Sequence, residues 1–161
     1  MEEAAGVLRE ILSEVGGRER PDTALRAACA AIRNALKEGS SRYVELATAA
    51  GLSPDDLPAD DQTLWLTLVS QTVAPAGADL DVTAWLGVIA ALTLWGAGTQ
   101  ADAAALATYV GAESDLEPSV LEAVFAPVVE RWLALGVLEA TERLTPLGWW
   151  GLPEAQLRVW S

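Results

Sequence analysis

Histidine is absent from this 161-residue sequence, and cysteine occurs once, at Cys29. The lack of histidine removes the commonest general base, the commonest zinc ligand and every Ser-His or Cys-His nucleophile pair. A single cysteine excludes an internal disulfide and a thiolate metal cluster within one chain, and its position on an apolar helix stripe predicts a buried thiol. Chemistry would then depend on carboxylates or on substrate positioning. The composition therefore argues against an enzyme, and we assign no catalytic residue, no cofactor and no metal.

Long apolar runs are scarce as well. The longest uncharged run, residues 82–101, is interrupted by three glycines and several polar residues, and only residues 82–95 are dense in apolar side chains. That length is too short to span a bilayer, so we predict a buried helix there and no membrane partner. The sequence opens with Glu2 and Glu3, where a secretory signal would need positive charge. We expect a cytoplasmic protein.

Positive charge is missing from the middle of the chain. Residues 43–130 hold 13 acidic side chains and no lysine or arginine, so the whole net charge of −13 arises there. Such a block cannot neutralise phosphates, which are the main source of nucleic-acid affinity. We therefore expect no nucleic-acid partner. The block is either an acidic solvated surface or a docking face for a basic partner.

Helical spacing dominates the sequence. Apolar residues at intervals of three and four, separated by glycine and proline breaks, predict an all-α fold of seven or eight helices. Residues 1–40 form an N-terminal helical pair, and residues 41–161 form a larger helical domain packed with that pair as one unit. The segment 137–147, "VLEATERLTPL", is the strand candidate and predicts one small β-hairpin. Pro127 predicts a kink within the seventh helix, which runs from about Pro118 to Gly136.

Two segments have the pattern of DNA-binding folds. "VELATAAGLSPDDL" has the spacing of a helix-turn-helix, and "LGVLE…RLTPLG" follows two helices as the two strands of a wing would. The second half of the chain is therefore predicted to be winged-helix-like. Its DNA-facing positions would carry acidic side chains, which phosphate repels, so we interpret the shape as one used for packing or protein contact. A simple helix–loop–helix remains open for the first segment.

The same region resembles a known group of proteins. "LWLTLVSQTVAP", "WLGVIAALTLWGAG" and "WLALGVLEATERLTPLGWWGLPEAQLRVW" are similar to segments of an uncharacterised actinobacterial family that ends in Leu-Thr-x-Leu-Gly-x-Trp-Gly-Leu. The resemblance covers roughly residues 62–160 and implies no activity, cofactor or catalytic residue. The family often has a basic residue at the position of Trp149, so the doubled tryptophan here adds apolar surface.

The chain has seven tryptophans, which are the candidate contact residues. Apolar helix faces predict that four of them lie in the core: Trp65, Trp85, Trp95 and Trp132. An extended Gly-Trp-Trp-Gly unit cannot bury both rings against one surface, because neighbouring side chains then point to opposite sides. We therefore predict that the ending of the chain docks through its tryptophans. The candidate partner or ligand contacts are Trp132, Trp149, Trp150 and Trp160.

These observations favour a non-enzymatic protein-interaction or regulatory accessory module that binds a protein partner or itself. The alternative is a histidine-free small-molecule-binding protein or enzyme with a tryptophan-lined pocket. Its polar group would be Asp79, Asp81 or Glu130. Asp79-Leu80-Asp81 also matches a minimal metal pattern, but many loop sequences do so, and capping of the following helix explains it more simply.

Overall fold

The computed structural model of this protein describes residues 2–73, 80–110 and 116–161. Within those ranges the chain forms eight α-helices: α1 (Glu2–Val15), α2 (Asp22–Lys37), α3 (Ser41–Ala49), α4 (Asp61–Ser70), α5 (Val82–Trp95), α6 (Ala103–Val110), α7 (Pro118–Leu135) and α8 (Pro146–Trp160). The predicted all-α class is confirmed. Helices end at residues that interrupt helical structure. Helix α7, for example, is followed by Gly136, whose φ of 80° lies in the left-handed region.

The predicted β-hairpin and the winged-helix-like second half are not supported. The described ranges contain isolated backbone bridges, Leu138 with Leu144 and Gln100 with Arg143, but no β-strand. The second half of the predicted hairpin, residues 143–147, cannot form a strand because helix α8 begins within it. Thr145 is the N-cap of α8, its side chain accepts a hydrogen bond from the Gly148 amide, and Pro146 is the first helical residue.

The segment with helix-turn-helix spacing forms a helix, a loop and a helix. The structure has no second helix directly after the turn at Gly51, and α4 starts only after Asp60. Asp60 is the N-cap of α4, with its carboxylate accepting from the Thr63 amide at 2.9 Å and from the Thr63 hydroxyl at 2.8 Å. These hydrogen bonds hold the pKa of Asp60 below its usual value. Asp60 and Asp61 therefore begin helix α4, and they do not lie on the surface of a recognition helix.

Two helices organise the core. Helix α5 packs against α1, α6 and α8, while α4 packs against α2, α7 and α8. Helix α1 lies on α5 and α8, whereas α2 lies on α3 and α4. Trp85 is fully buried, 5.7 Å from Phe125 and 6.3 Å from Trp132 between ring centroids, so aromatic rings from α5 and α7 join at the centre.

None of the described helices combines the length and the apolar character needed to cross a membrane.

Helix α7 continues through Pro127 without interruption. Helix α5 is apolar along most of its length, as the sequence predicts, and its buried face continues as far as Thr93.

The one cysteine lies in the core, as expected. Cys29 is fully buried on α2, and its thiol donates a hydrogen bond to the Asp61 carbonyl oxygen at 3.4 Å. Burial, reinforced by the charge of Asp61, raises the pKa of the Cys29 thiol to about 12. Because a thiol with a raised pKa stays protonated at neutral pH, Cys29 holds almost no thiolate there.

We expect the folded protein at pH 8 to react with a disulfide reagent at least about a hundredfold more slowly than the unfolded chain. Unfolding in guanidinium exposes the thiol and returns its pKa to the ordinary range. The measurement is the rate of absorbance change with and without denaturant. Labelling of the folded protein at the rate of a free cysteine would contradict this account.

Candidate functional site

The Gly-Trp-Trp-Gly unit belongs to a helix and is not extended. Gly148 and Gly151 lie one turn apart in α8, and each allows a close approach. A Cβ atom on Gly148 would lie 2.3 Å from the Val137 carbonyl oxygen, and one on Gly151 would lie 2.0 Å from the Trp65 ring. Glycine is therefore required at both positions because another part of the core occupies the space of a side chain.

Three of the four predicted contact tryptophans lie in the core. Trp132 is fully buried and donates its indole N–H to the Thr72 hydroxyl at 2.8 Å. Trp150 packs on Trp65 with ring centroids 6.2 Å apart, and Trp160 is buried on α8, the helix on which α1 packs. The expectation of an uncovered ring depended on an extended chain. A helix instead places Trp150 on its buried face, and the fold itself covers Trp160.

Trp149, the fourth, is partly buried at the end of α5. Its indole N–H donates to the Thr93 carbonyl oxygen at 2.9 Å. The last carbonyl groups of a helix lack intrahelical donors, so this contact satisfies one of them. Trp149 therefore joins α8 to the end of α5.

The tryptophan that the structure does expose is Trp95, the last residue of α5. Trp95 is 61% exposed and its neighbour Leu94 is 54% exposed, which corrects the prediction of Trp95 as a core residue. The Trp95 ring makes an edge contact with Tyr109 of α6, with centroids 4.9 Å apart and planes at 75°. We call Leu94, Trp95 and Tyr109 the Trp95 patch. Helical spacing predicted that Trp95 lies on the buried face of α5. In the structure, Trp149 is the tryptophan that packs at this end of α5, and Trp95 is left exposed.

The surroundings of the Trp95 patch are polar and include charges of both signs. The Tyr109 hydroxyl donates to the Gln100 carbonyl oxygen at 2.6 Å, and partial burial, followed by the charge of Asp102, raises the pKa of Tyr109. Asp102 itself accepts from the Gln100 side chain at 2.6 Å. The cation found beside this region is Arg143, which donates to the Gly98 carbonyl oxygen at 3.1 Å. The patch thus presents aromatic rings beside a fixed carboxylate.

The structure describes two of the three predicted polar site residues and places them on different elements. Asp79 lies outside the described residues. Asp81 is the N-cap of α5 and accepts from the Ala84 amide at 2.7 Å, so capping accounts for it. Glu130 lines a cleft between α3 and α7. In the ranges that the structure describes, histidine, cysteine, aspartate and glutamate form no group of three that could hold a metal.

That cleft, which we call the α3–α7 cleft, has a volume of about 500 Å³. Its lining consists of Ser41, Arg42, Glu45, Leu46, Ala49, Gln71, Pro127, Glu130 and Arg131. The walls therefore carry charges of both signs, whereas the alternative function predicted a pocket lined by tryptophan. Sequence reasoning missed the arginines of the cleft. The charge pattern contained a signal for them, because Arg42 and Arg131 directly flank residues 43–130, which contain no lysine or arginine.

A scan against protein-family models gives no match, and searches of the curated proteins and of the solved structures find no similar chain. The Trp95 patch and the α3–α7 cleft are thus the features from which a function is inferred.

Proposed function

We propose that this protein is a non-enzymatic interaction module that binds a basic protein partner through the Trp95 patch. The observation that carries the proposal is the 61% exposure of Trp95 at the end of a helix whose apolar face is otherwise buried. An indole offers about 150–250 Å² of surface to bury, and an exposed indole leaves that burial available to a partner. Tryptophan, tyrosine and arginine are the residues that most often dominate interface energy.

Charge favours a basic partner over an acidic one. Asp102 lies close enough to Tyr109 to affect its pKa. Residues 43–130 contain no lysine or arginine, and the cation found beside the patch, Arg143, donates to the Gly98 carbonyl oxygen. An arginine placed over the Trp95 ring would gain a cation–π interaction of about 0.5–2 kcal/mol. The net charge of −13 would accelerate the approach of such a partner.

The C-terminal tryptophans have a different role in this proposal from the one that the sequence favoured. Trp149 holds the end of α5 by its hydrogen bond to Thr93, so it positions the residues that precede the patch. Trp132, Trp150 and Trp160 maintain the core beneath. The net charge of −13 supports a regulatory accessory role without DNA binding.

The alternative, a histidine-free small-molecule-binding protein or enzyme, has one observation in its favour, the α3–α7 cleft. Its walls hold charged side chains and no indole. A tryptophan-lined pocket therefore has no support from this cleft.

We expect Trp95→Ala to weaken binding of a peptide that alternates arginine and leucine by about tenfold or more at physiological salt, because truncation removes the central anchor. The unfolding free energy should change by less than about 1 kcal/mol, since Trp95 is mostly exposed. Isothermal titration and urea unfolding measure the two quantities. Val120→Ala, at an apolar residue 45% exposed on α7, is the matched control and should leave peptide binding unchanged.

Two results would contradict the proposal. Equal peptide affinity for Trp95→Ala and the parent protein would mean that binding is diffuse electrostatic attraction. A dimer that dissociates on Trp95→Ala substitution, detected by sedimentation velocity, would mean that a second copy of the chain covers the patch.

A further inference from the structure

The α3–α7 cleft has the dimensions of a small-molecule site. Its volume of about 500 Å³ falls within the range of ligand pockets. Leu46, which is buried, and Ala49 and Pro127 supply its apolar lining. Ser41 and Gln71 add a hydroxyl and an amide at its margin. A ligand there would contact apolar surface below and polar groups around it.

The four charged side chains of this cleft are solvent-exposed, and they form no ion pair with other described residues. They are Arg42 and Glu45 on α3, and Glu130 and Arg131 on α7. Elsewhere in the described part of the chain, arginines do find carboxylates, as Arg18 does with Glu154. Within that same part, no ion pair or side-chain hydrogen bond involves the four groups of the cleft. Both signs of charge are therefore available to a ligand.

The fold places two particular cations in the lining of this cleft. Arg42 is the last basic residue before the acidic block of residues 43–130, and Arg131 is the first after it. Their meeting across one cleft cannot be read from either segment alone. Guanidinium groups bind carboxylates and phosphates through paired hydrogen bonds. Arg42 also lies in the first turn of α3, where the helix dipole favours an anion.

We propose that the α3–α7 cleft binds a small zwitterionic molecule, one that carries a carboxylate or phosphate group together with an ammonium group. The anionic group contacts Arg42 and Arg131, and the ammonium group contacts Glu45 and Glu130. A simple anion of the same size would be repelled by the two glutamates, and a simple cation by the two arginines. A ligand of mixed charge satisfies both pairs. This site is separate from the Trp95 patch and does not depend on the proposed function.

The test uses isothermal titration of the whole chain with two zwitterions, phosphoethanolamine and β-alanine. The halves of these molecules, inorganic phosphate, acetate and ethylamine, are the comparison ligands. We expect one zwitterion to bind at least about tenfold more tightly than either of its halves. Which zwitterion binds distinguishes a phosphate ligand from a carboxylate ligand.

Variants then assign the contacts. Arg131→Gln and Glu130→Gln should each reduce the affinity by about tenfold or more, while Arg158→Gln, an exposed arginine of α8, is the control and should leave it unchanged. Thermal melting confirms that each variant is folded. The proposal is overturned if neither zwitterion binds at about 10 mM, or if Arg131→Gln has no effect. It is also overturned if phosphate alone binds as tightly and Glu130→Gln changes nothing.

Discussion

Gly151→Ala should lower the free energy of unfolding by about 3 kcal/mol or more, or prevent folding. The added Cβ atom would lie 2.0 Å from the Trp65 ring. Trp65 cannot easily move, because its indole N–H donates to the Leu135 carbonyl oxygen at 2.7 Å and its ring packs on the Trp150 ring. The clash must then separate α4 from α8. Urea unfolding followed by circular dichroism measures the loss.

Gly6→Ala is the matched control. Gly6 also lies inside a helix, α1, but a Cβ atom there would meet nothing within 4 Å. Because alanine has the higher helix propensity, Gly6→Ala should raise the stability by about 0.5–1 kcal/mol. If both substitutions have the same small effect, the close packing of α8 on Trp65 is not as described.

Arg18→Ala should cost about 2–4 kcal/mol of stability, although arginine is usually a surface residue. Its side chain is only 7% exposed and forms an ion pair with Glu154 at 3.0 Å. It also donates to the carbonyl oxygens of Trp149 and Trp150, at 3.1 and 2.8 Å. Pro153 lacks the N–H that would bond the Trp149 carbonyl in a regular helix, so Arg18 supplies the missing donor.

A double-mutant cycle tests that explanation. Pro153→Ala restores an amide donor to the Trp149 carbonyl, so Arg18→Ala should cost less in the Pro153→Ala background than in the parent. Arg20→Ala, which breaks an exposed ion pair with Asp22, is the surface control and should cost less than about 1 kcal/mol. Strict additivity of the two substitutions would show that Arg18 does not compensate for the proline.

The helices could be predicted from the sequence because their signals are local. Gly16, Gly39 and Gly136 each follow a helix, and the apolar spacing before them identifies the buried faces. The start of α8 was also readable, since a threonine followed by proline is typical of a helix N-terminus. The strand-like pattern of "RLTPL" obscured it.

The site could not be predicted in the same way. Spacing states which face of a helix is apolar, but not how far the neighbouring helices extend, and so Trp95 was assigned to the core. Arg42 and Arg131 become neighbours only through the packing of α2, α3, α4 and α7. Arg18 opposite Pro153 is likewise a tertiary compensation that overrides the low helix propensity of proline.

The packing of α1 on α8 has a consequence for the order of folding. Arg9 of α1 donates to the Ser161 hydroxyl at 2.9 Å, and Arg18 meets residues more than 130 positions later in the chain. Contacts between segments so distant in sequence form late, because a large loop must close before they stabilise anything. During synthesis, α5 becomes available to α1 before α8 does, but the hydrogen bonds of Arg9 and Arg18 to residues 149–161 wait until α8 leaves the ribosome. The contacts between α1 and α8 thus join the earliest-made and the latest-made of the described helices.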